Sequence, residues 1–206
     1  MPDLKERILT HACDLFLEGG ADGFSMRKLA RRLGVTAPAL YKHVESKEAL
    51  LQDIMAEAYR RFSQYLYRGL VGATPAERFQ LAGQGFLDFA LENPRLYSLL
   101  HVSPESLGIR TLHPDVEALG CAIGQFFHDR VRECMDTGLL REGDSEAVST
   151  TLWAHAHGLV TLYNRGVLAR EGEMPEAEFR ELFRESSRRL LEGLVPDGRA
   201  ASGAGN

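Results

Sequence analysis

Apolar residues recur at three- and four-residue intervals along almost the whole chain, the spacing that gathers them on one face of an α-helix. Ile8, Leu9, Ala12, Leu15 and Phe16 form the first stripe, opened by Asp3 and Glu6 in a capping-box-like start and closed by Gly19-Gly20. Two short patterns follow. One covers 25–33, with Leu29, Ala30 and Leu33 inward; the other covers 36–43, with Ala39 and Leu40 inward. Ser25 and Thr36 are N-cap residue types, and Phe24 and Val35 precede them as hydrophobic staples for Leu29 and Leu40. Gly34 between the two patterns suits a tight turn with φ above zero. Helix, short Gly-containing turn, helix is the signature of a helix-turn-helix.

The remaining chain keeps the same period. Ser46 starts a long stripe (Leu50, Leu51, Ile54, Ala58, Phe62, Leu66, Leu70) that predicts a helix over 46–71. Thr74-Pro75-Ala76-Glu77 is a strong helix start, with a helix expected to about Glu92. Asn93-Pro94 opens a shorter helix to Leu100, and the Ser-, Pro- and Gly-containing stretch 101–112 reads as a loop. Helices are expected from Pro114 to about Gly138, from Asp144 or Ser145 to about Arg170, and from Pro175 to Leu194. No alternation of the strand type is long enough to matter, so the fold class is all-α with about nine helices. The Gly- and Ala-rich tail 197–206 is expected to be disordered. A two-helix motif cannot bury its apolar face alone, so the first helix completes a three-helix head, and the long helix leads into a larger helical body. The expected division is 1–46 for the head, with the motif at 25–44, and 47–196 for the body.

Charge changes the picture. The chain carries 24 Lys and Arg against 29 Asp and Glu, a net −5. Within 25–47, Arg27, Lys28, Arg31, Arg32, Lys42 and Lys47 face a single Glu45, a local +5 on an acidic remainder. That pattern excludes a protein that coats nucleic acid indiscriminately and favours one local nucleic-acid-binding patch. No uncharged apolar run approaches the roughly 18 residues of a membrane span. The charged start MPDLKERIL has no signal-peptide core. Cys121 and Cys134, if on one helix, lie roughly 20 Å apart and cannot pair. A cytoplasmic protein with reduced thiols is expected.

At this spacing the chain resembles the TetR-type one-component transcriptional repressors. The resemblance is strongest over 4–62. It rests on Ala12, Leu15, Phe16 and Gly20, then Ser25, Leu29, Ala30, Gly34 and Val35, then Leu40-Tyr41, Lys42-His43, Lys47-Glu48 and Leu50-Leu51. Val44 departs from it, since the family usually has an aromatic residue after the His. Trp153, His157, Gly158 and Leu159 look like the Trp…His-Gly motif of one C-terminal subgroup. The resemblance implies a homodimer on a partly palindromic operator, released when a small molecule occupies the body. It places DNA contacts at Ser25, Arg27, Thr36, Ala37, Pro38, Ala39, Tyr41, Lys42, His43 and Lys47. Tyr41, Lys42 and His43 end the recognition helix, where long donors reach phosphate oxygens, and Lys47 opens the next helix. The first turn, Thr36 to Ala39, carries few donors, so direct readout there is mainly apolar contact with thymine methyl groups.

The pattern over 145–170 is apolar nearly all round, which calls for two packing partners. With the last helix it predicts an isologous four-helix interface through Leu152, Ala156, Leu159, Tyr163, Phe179, Leu182, Ser186 and Leu190. An effector pocket lined by Phe86, Phe89, Tyr97, His101, Phe126, Trp153 and His157 would be mostly apolar and suit a hydrophobic ligand. Gln84, Gln125 and His155 are further polar candidates. No cofactor or metal is expected: His155 and His157 sit about 200° apart on a helix, and Cys121 and His128 about 10 Å apart along one. No nucleophile-elbow, P-loop or dinucleotide motif points to an enzyme. The alternative, an all-α small-molecule-binding protein or enzyme, leaves the basic motif without a role.

Overall fold

The computed structural model describes residues 4–169 and 172–196, and among them all regular structure is helical, with nine α-helices and no strand. The Asp3 capping position, the expected helix end at Arg170 and the tail 197–206 lie outside the described residues. The helices are α1 (Leu4–Gly23), α2 (Met26–Leu33), α3 (Ala37–Leu40), α4 (Lys47–Tyr67), α5 (Pro75–Glu92), α6 (Pro94–His101), α7 (Pro114–Asp136), α8 (Ser145–Asn164) and α9 (Glu176–Glu192). None is long and apolar enough to cross a membrane among the described residues.

The chain divides into two compact units. One holds the residues up to Tyr65 together with Asp88–Ile123, the other Leu66–Leu87 together with the residues from Gly124 onward. In the first unit, α1 turns at Gly20, whose φ of 64° and ψ of −163° break the helix three residues before its end. Ile8, Leu29, Leu40, Leu50, Leu51 and Ile54 are fully buried there and join α1, α2, α3 and α4 into the predicted three-helix head with its following helix. Phe62 stacks on Phe89 at 4.6 Å, and Tyr65 meets Phe89 edge-on at 5.6 Å. The Tyr65 hydroxyl donates to Glu92 at 2.5 Å.

The 101–112 stretch is more ordered than its composition suggests. It contains a 3-10 turn, Pro104–Leu107, closed by Gly108 at φ 78°. Ile109 behind it is buried to 1% exposure. Polar side chains of α4 hold this segment: Glu48 accepts from the Arg110 N–H at 3.0 Å, and Gln52 both donates to the Thr111 carbonyl at 3.3 Å and accepts from the His113 N–H at 2.5 Å. A single apolar anchor in a polar stretch has no period, so the sequence pattern does not reveal it.

In the second unit the predicted capping box forms. Thr74 Oγ1 accepts from the Glu77 N–H at 3.2 Å, and Glu77 accepts from the Thr74 N–H at 3.2 Å and the Ala73 N–H at 2.7 Å. Arg78 pairs with Glu133 on α7 and donates to the Gly72 carbonyl at 2.8 Å. The bond from Arg78 holds the Glu133 carboxyl below its ordinary value. Val131, Cys134 and Leu140 form a small core against which Phe79, Leu152 and Leu191 pack.

Two helix ends differ from the sequence pattern. The helix expected over 46–71 stops at Tyr67 and tightens into a 3-10 turn, Arg68–Val71. The cause is Gly69, whose backbone lies so close to α5 that a Cβ would come within 2.9 Å of the Ala82 nitrogen and 3.2 Å of the Arg78 carbonyl oxygen. The helix expected to about Arg170 ends at Asn164, where Gly166 takes φ 68° and the Val167 N–H returns to the Leu162 carbonyl at 3.1 Å.

Gly69→Ala is therefore expected to cost about 1–3 kcal/mol through overpacking. Gly83→Ala is the control: Gly83 lies inside α5 and a Cβ there meets nothing within 4 Å, so this change is expected to add about 0.5–1 kcal/mol. Urea unfolding of the two variants reads both signs. Equal midpoints would remove the steric account of the α4 end.

Candidate nucleic-acid interface

The head's geometry is set by its caps. Ser25 Oγ accepts from the Lys28 N–H at 3.2 Å and starts α2. Phe24, directly before it, is buried and lies 6.5 Å from the Phe16 ring, which fixes where the chain enters. Gly34 ends α2 in the left-handed conformation, φ 70° and ψ 25°. The Gly34 N–H returns to Arg31 and the Val35 N–H to Ala30, at 3.2 and 3.0 Å, so the orphan carbonyls of α2 are satisfied by the turn itself. Thr36 Oγ1 then accepts from the Ala39 N–H at 3.3 Å and starts α3. Val35 is 38% exposed, so the second staple is a loose one.

The α-helical part of the second element is only four residues long, shorter than the 36–43 pattern implies. Lys42 and His43 bond back three residues, to Ala39 at 3.3 Å and Leu40 at 2.9 Å, and so lie in a tighter turn. That turn rolls Val44 into the core at 8% exposure. Ser46 Oγ accepts from the Ala49 N–H at 2.9 Å and begins α4. Tyr41, Lys42 and His43 are left exposed, with Tyr41 at 49%. Thr36 and Pro38 are exposed beside them, and Ala37 and Ala39 are half-buried. The two aliphatic hydroxyl oxygens expected at the interface, on Ser25 and Thr36, are thus engaged as caps, and the first turn of α3 presents mainly methyl and methylene groups.

The basic residues are not equivalent. Lys28 Nζ donates to the Gly23 carbonyl at 2.9 Å, closing the end of α1. Arg32 pairs with Glu18 of α1, which lowers the Glu18 carboxyl from its ordinary value. Lys47 Nζ lies 6.0 Å from the centre of the Phe24 ring, in range of a cation–π contact. The side chains of Arg27, Arg31 and Lys42 are exposed and make no hydrogen bond or ion pair with the described residues.

The other candidate residues fall into both units. Phe89, Tyr97 and His101 belong to the first, where the Tyr97 and His101 rings are 4.2 Å apart and His101 Nδ1 lies 2.7 Å from the Tyr97 carbonyl. Burial pushes the Tyr97 hydroxyl well up. Phe86, Phe126, Trp153 and His157 belong to the second. There Phe127 meets Phe86 and Phe126 edge-on at 6.1 and 6.0 Å, while Trp153 and His157 stack at 5.2 Å. Burial lowers His155 and His157 from the ordinary imidazole value, which favours their neutral forms.

Of the residues expected at a subunit interface, Phe179 is fully buried and stacks on Tyr163 at 4.1 Å, in the seam between α8 and α9 of one chain. Leu152 packs on the small core around Val131, Cys134 and Leu140. Ala156, Leu159, Ser186 and Leu190 are half-buried, and Leu182 is 36% exposed. Of all α8, only Val160 is fully covered. Among the described residues no group of three His, Cys, Asp or Glu side chains could hold a metal.

A capped helix, a left-handed glycine turn, a second capped helix and exposed cations on their outer side define a helix-turn-helix protein. Sequence comparison gives the family. The profile for bacterial regulatory proteins of the tetR family matches residues 8–54, and that for the tetracyclin repressor-like C-terminal domain matches residues 79–186. The chain belongs to the TetR family, by class DNA-binding regulators of transcription.

The class D tetracycline repressor of Escherichia coli is 41% identical over 61 residues, which is 30% of this chain and 28% of that protein. The regulator UidR of Escherichia coli K12 is 25% identical over 187 residues, 84% of this chain and 87% of UidR. A protein of unknown function from Rhodococcus sp. RHA1 shares the fold, with a TM-score of 0.81 at 24% identity over 95% of this chain and 97% of its own.

Gly34→Ala is expected to destabilise the head by about 1–2 kcal/mol, because a Cβ disfavours the left-handed conformation. Chemical denaturation followed by far-UV circular dichroism measures it. An unchanged midpoint would mean that the turn does not need its glycine.

Proposed function

We propose that this protein is a homodimeric repressor that holds a partly palindromic operator and leaves it when a small hydrophobic effector binds. The observation that carries the DNA reading is the exposed, unpaired set of Arg27, Arg31, Tyr41, Lys42 and His43 on a helix-turn-helix whose remaining cations, Lys28, Arg32 and Lys47, are engaged within the head. The division of labour proposed is 1–46 for DNA and 47–196 for effector binding and dimerisation, in the cytoplasm. Tyr41, Lys42 and His43 reach phosphate oxygens. Ala37, Pro38 and Ala39 offer thymine methyl groups an apolar surface. With so few donors in that turn, sequence preference comes from Arg27, Lys42 and the shape of the DNA.

The dimer reading rests on α8 and α9. α8 carries three Leu, two Val and the chain's single Trp yet buries only Val160 within its own chain, which leaves Trp153 at 46% and Leu162 at 42% exposure, and α9 adds Leu182 at 36%. A Cβ at Gly158 would meet nothing within 4 Å, so this point of α8 has room for a close neighbour. Packing against the same helices of a second copy covers that surface with two-fold symmetry. It also supplies two heads for two half-sites about one DNA turn apart.

The effector candidates form two groups, Phe89, Tyr97 and His101 in the first unit and Phe86, Phe126, Trp153 and His157 in the second, and in each the aromatic faces outnumber orienting polar groups. Neutral imidazoles at His155 and His157 suit an uncharged ligand. Induction through α4, which runs from head to body along the chain, needs only that the effector prefer the non-operator state. It shifts the equilibrium by no more than that preference.

Tyr41→Ala and Lys42→Ala are expected to weaken binding to duplex DNA from next to the gene. Lys42→Ala is also expected to flatten the salt dependence by about 0.9 for each phosphate that is no longer neutralised. Fluorescence anisotropy across a salt series tests this, and unchanged affinity and slope would remove both residues from the interface. Sedimentation at micromolar concentration is expected to show a dimer for the wild type and a monomer for Leu162→Glu combined with Leu182→Glu. A wild-type monomer would overturn the interface.

A further inference from the structure

The charged side chains of α2 fall on two flanks. Successive helical residues are about 100° apart. With Met26, Leu29 and Ala30 buried, Arg27 and Arg31 lie one turn apart on one flank, and Lys28 and Arg32 one turn apart on the other. The second flank is engaged by α1: Lys28 donates to the Gly23 carbonyl and Arg32 pairs with Glu18. The first flank has no such partner. The side chains of Arg27 and Arg31 are both exposed and form no hydrogen bond or ion pair with the described residues.

Two guanidinium groups at i and i+4 repel each other. With no carboxylate paired to either, the free protein leaves that repulsion unrelieved, and an anion chain passing along the flank relieves it. The guanidinium fork matches phosphate oxygens in geometry and is weakly hydrated, so it gives up water readily to such a contact. Arg31 also directly precedes Arg32, whose ion pair to α1 fixes this end of α2, and its carbonyl accepts from the Gly34 N–H. Its backbone position is therefore held.

We propose that Arg31 is a phosphate-contacting residue of α2, one turn beyond the exposed Arg27, and that it grips the DNA strand passing along this flank. The assignment rests on the DNA-binding reading under Proposed function. Arg31 is a positioning residue: it fixes the register of α3 against the duplex and carries no sequence information.

The test compares wild type, Arg31→Ala, Arg31→Lys and Arg32→Ala on two duplexes, the DNA protected next to the gene and a scrambled version of it, by anisotropy across a salt series. Arg31→Ala is expected to keep its circular dichroism and melting temperature, since its side chain has no partner within the head. It is expected to lower the slope of log K against log salt by about 0.9 per head, about 1.8 per dimer, and to weaken both duplexes by the same factor. Arg31→Lys retains the slope, and Arg32→Ala, which removes a charge from the α1-facing flank, leaves it in place.

An unchanged slope for Arg31→Ala, while Lys42→Ala lowers it, overturns this assignment and leaves the DNA reading standing. A slope change for Arg32→Ala as large as that for Arg31→Ala shows that net charge alone sets the slope, and also overturns it. A weakening confined to the protected sequence makes Arg31 a base reader instead of a phosphate contact. No binding of wild type to either duplex removes the assignment and the DNA reading together.

Discussion

What the head can present to a partner depends on one backbone turn, at Gly34. The residue sits at φ 70°, where a side chain is disfavoured, and the N–H groups of Gly34 and Val35 close the carbonyl end of α2. Because α2 ends there with its carbonyls satisfied, Thr36 is free to start α3 two residues later. The direction of α3 is then fixed by its own cap and by the burial of Leu40. Tyr41, Lys42 and His43 are exposed as a consequence of that geometry. They occupy the tight turn that must roll Val44 back into the core.

Electrostatics then decides what the surface is for. A local excess of +5 on a chain of −5 is a patch, not a property of the whole molecule. Half of that patch is used internally. Lys28, Arg32 and Lys47 hold a carbonyl, a carboxylate and an aromatic face within the head. Such exposed contacts contribute little to stability, since surface ion pairs are worth about 0–1 kcal/mol and salt screens them. Their effect is directional. By pinning one flank of α2 to α1, Lys28 and Arg32 leave Arg27 and Arg31 on the other flank and set the polarity of the helix.

Much of the fold is legible in the sequence because local signals and packing agree. Ser25, Thr36 and the Thr74-to-Glu77 box are capping residues by type and cap in the structure. Gly34 is a left-handed turn by type and by angle. The departures come where long-range packing overrides a local period. Leu66 and Leu70 continue the stripe of α4 without interruption, yet the helix tightens at Gly69 because α5 leaves no room for a side chain there. Ile109 anchors a stretch that has no pattern. At the candidate site, charge could be counted from the sequence but not apportioned. Glu18 and Arg32 are fourteen positions apart, and nothing local marks them as a pair, so Arg31 is indistinguishable from its neighbours until α1 is in place. Phe179 is likewise an apolar position by pattern, and only its stacking on Tyr163 places it in the seam of one chain.

The central claim is that two copies of this head read one duplex together. Footprinting of the protein on the DNA next to its gene tests it most directly. The account predicts a protected stretch with approximate two-fold symmetry, its half-sites about one helical turn or a small multiple of turns apart, and loss of protection as salt is raised. Protection of a single unsymmetrical half-site, or none at low salt, would contradict it.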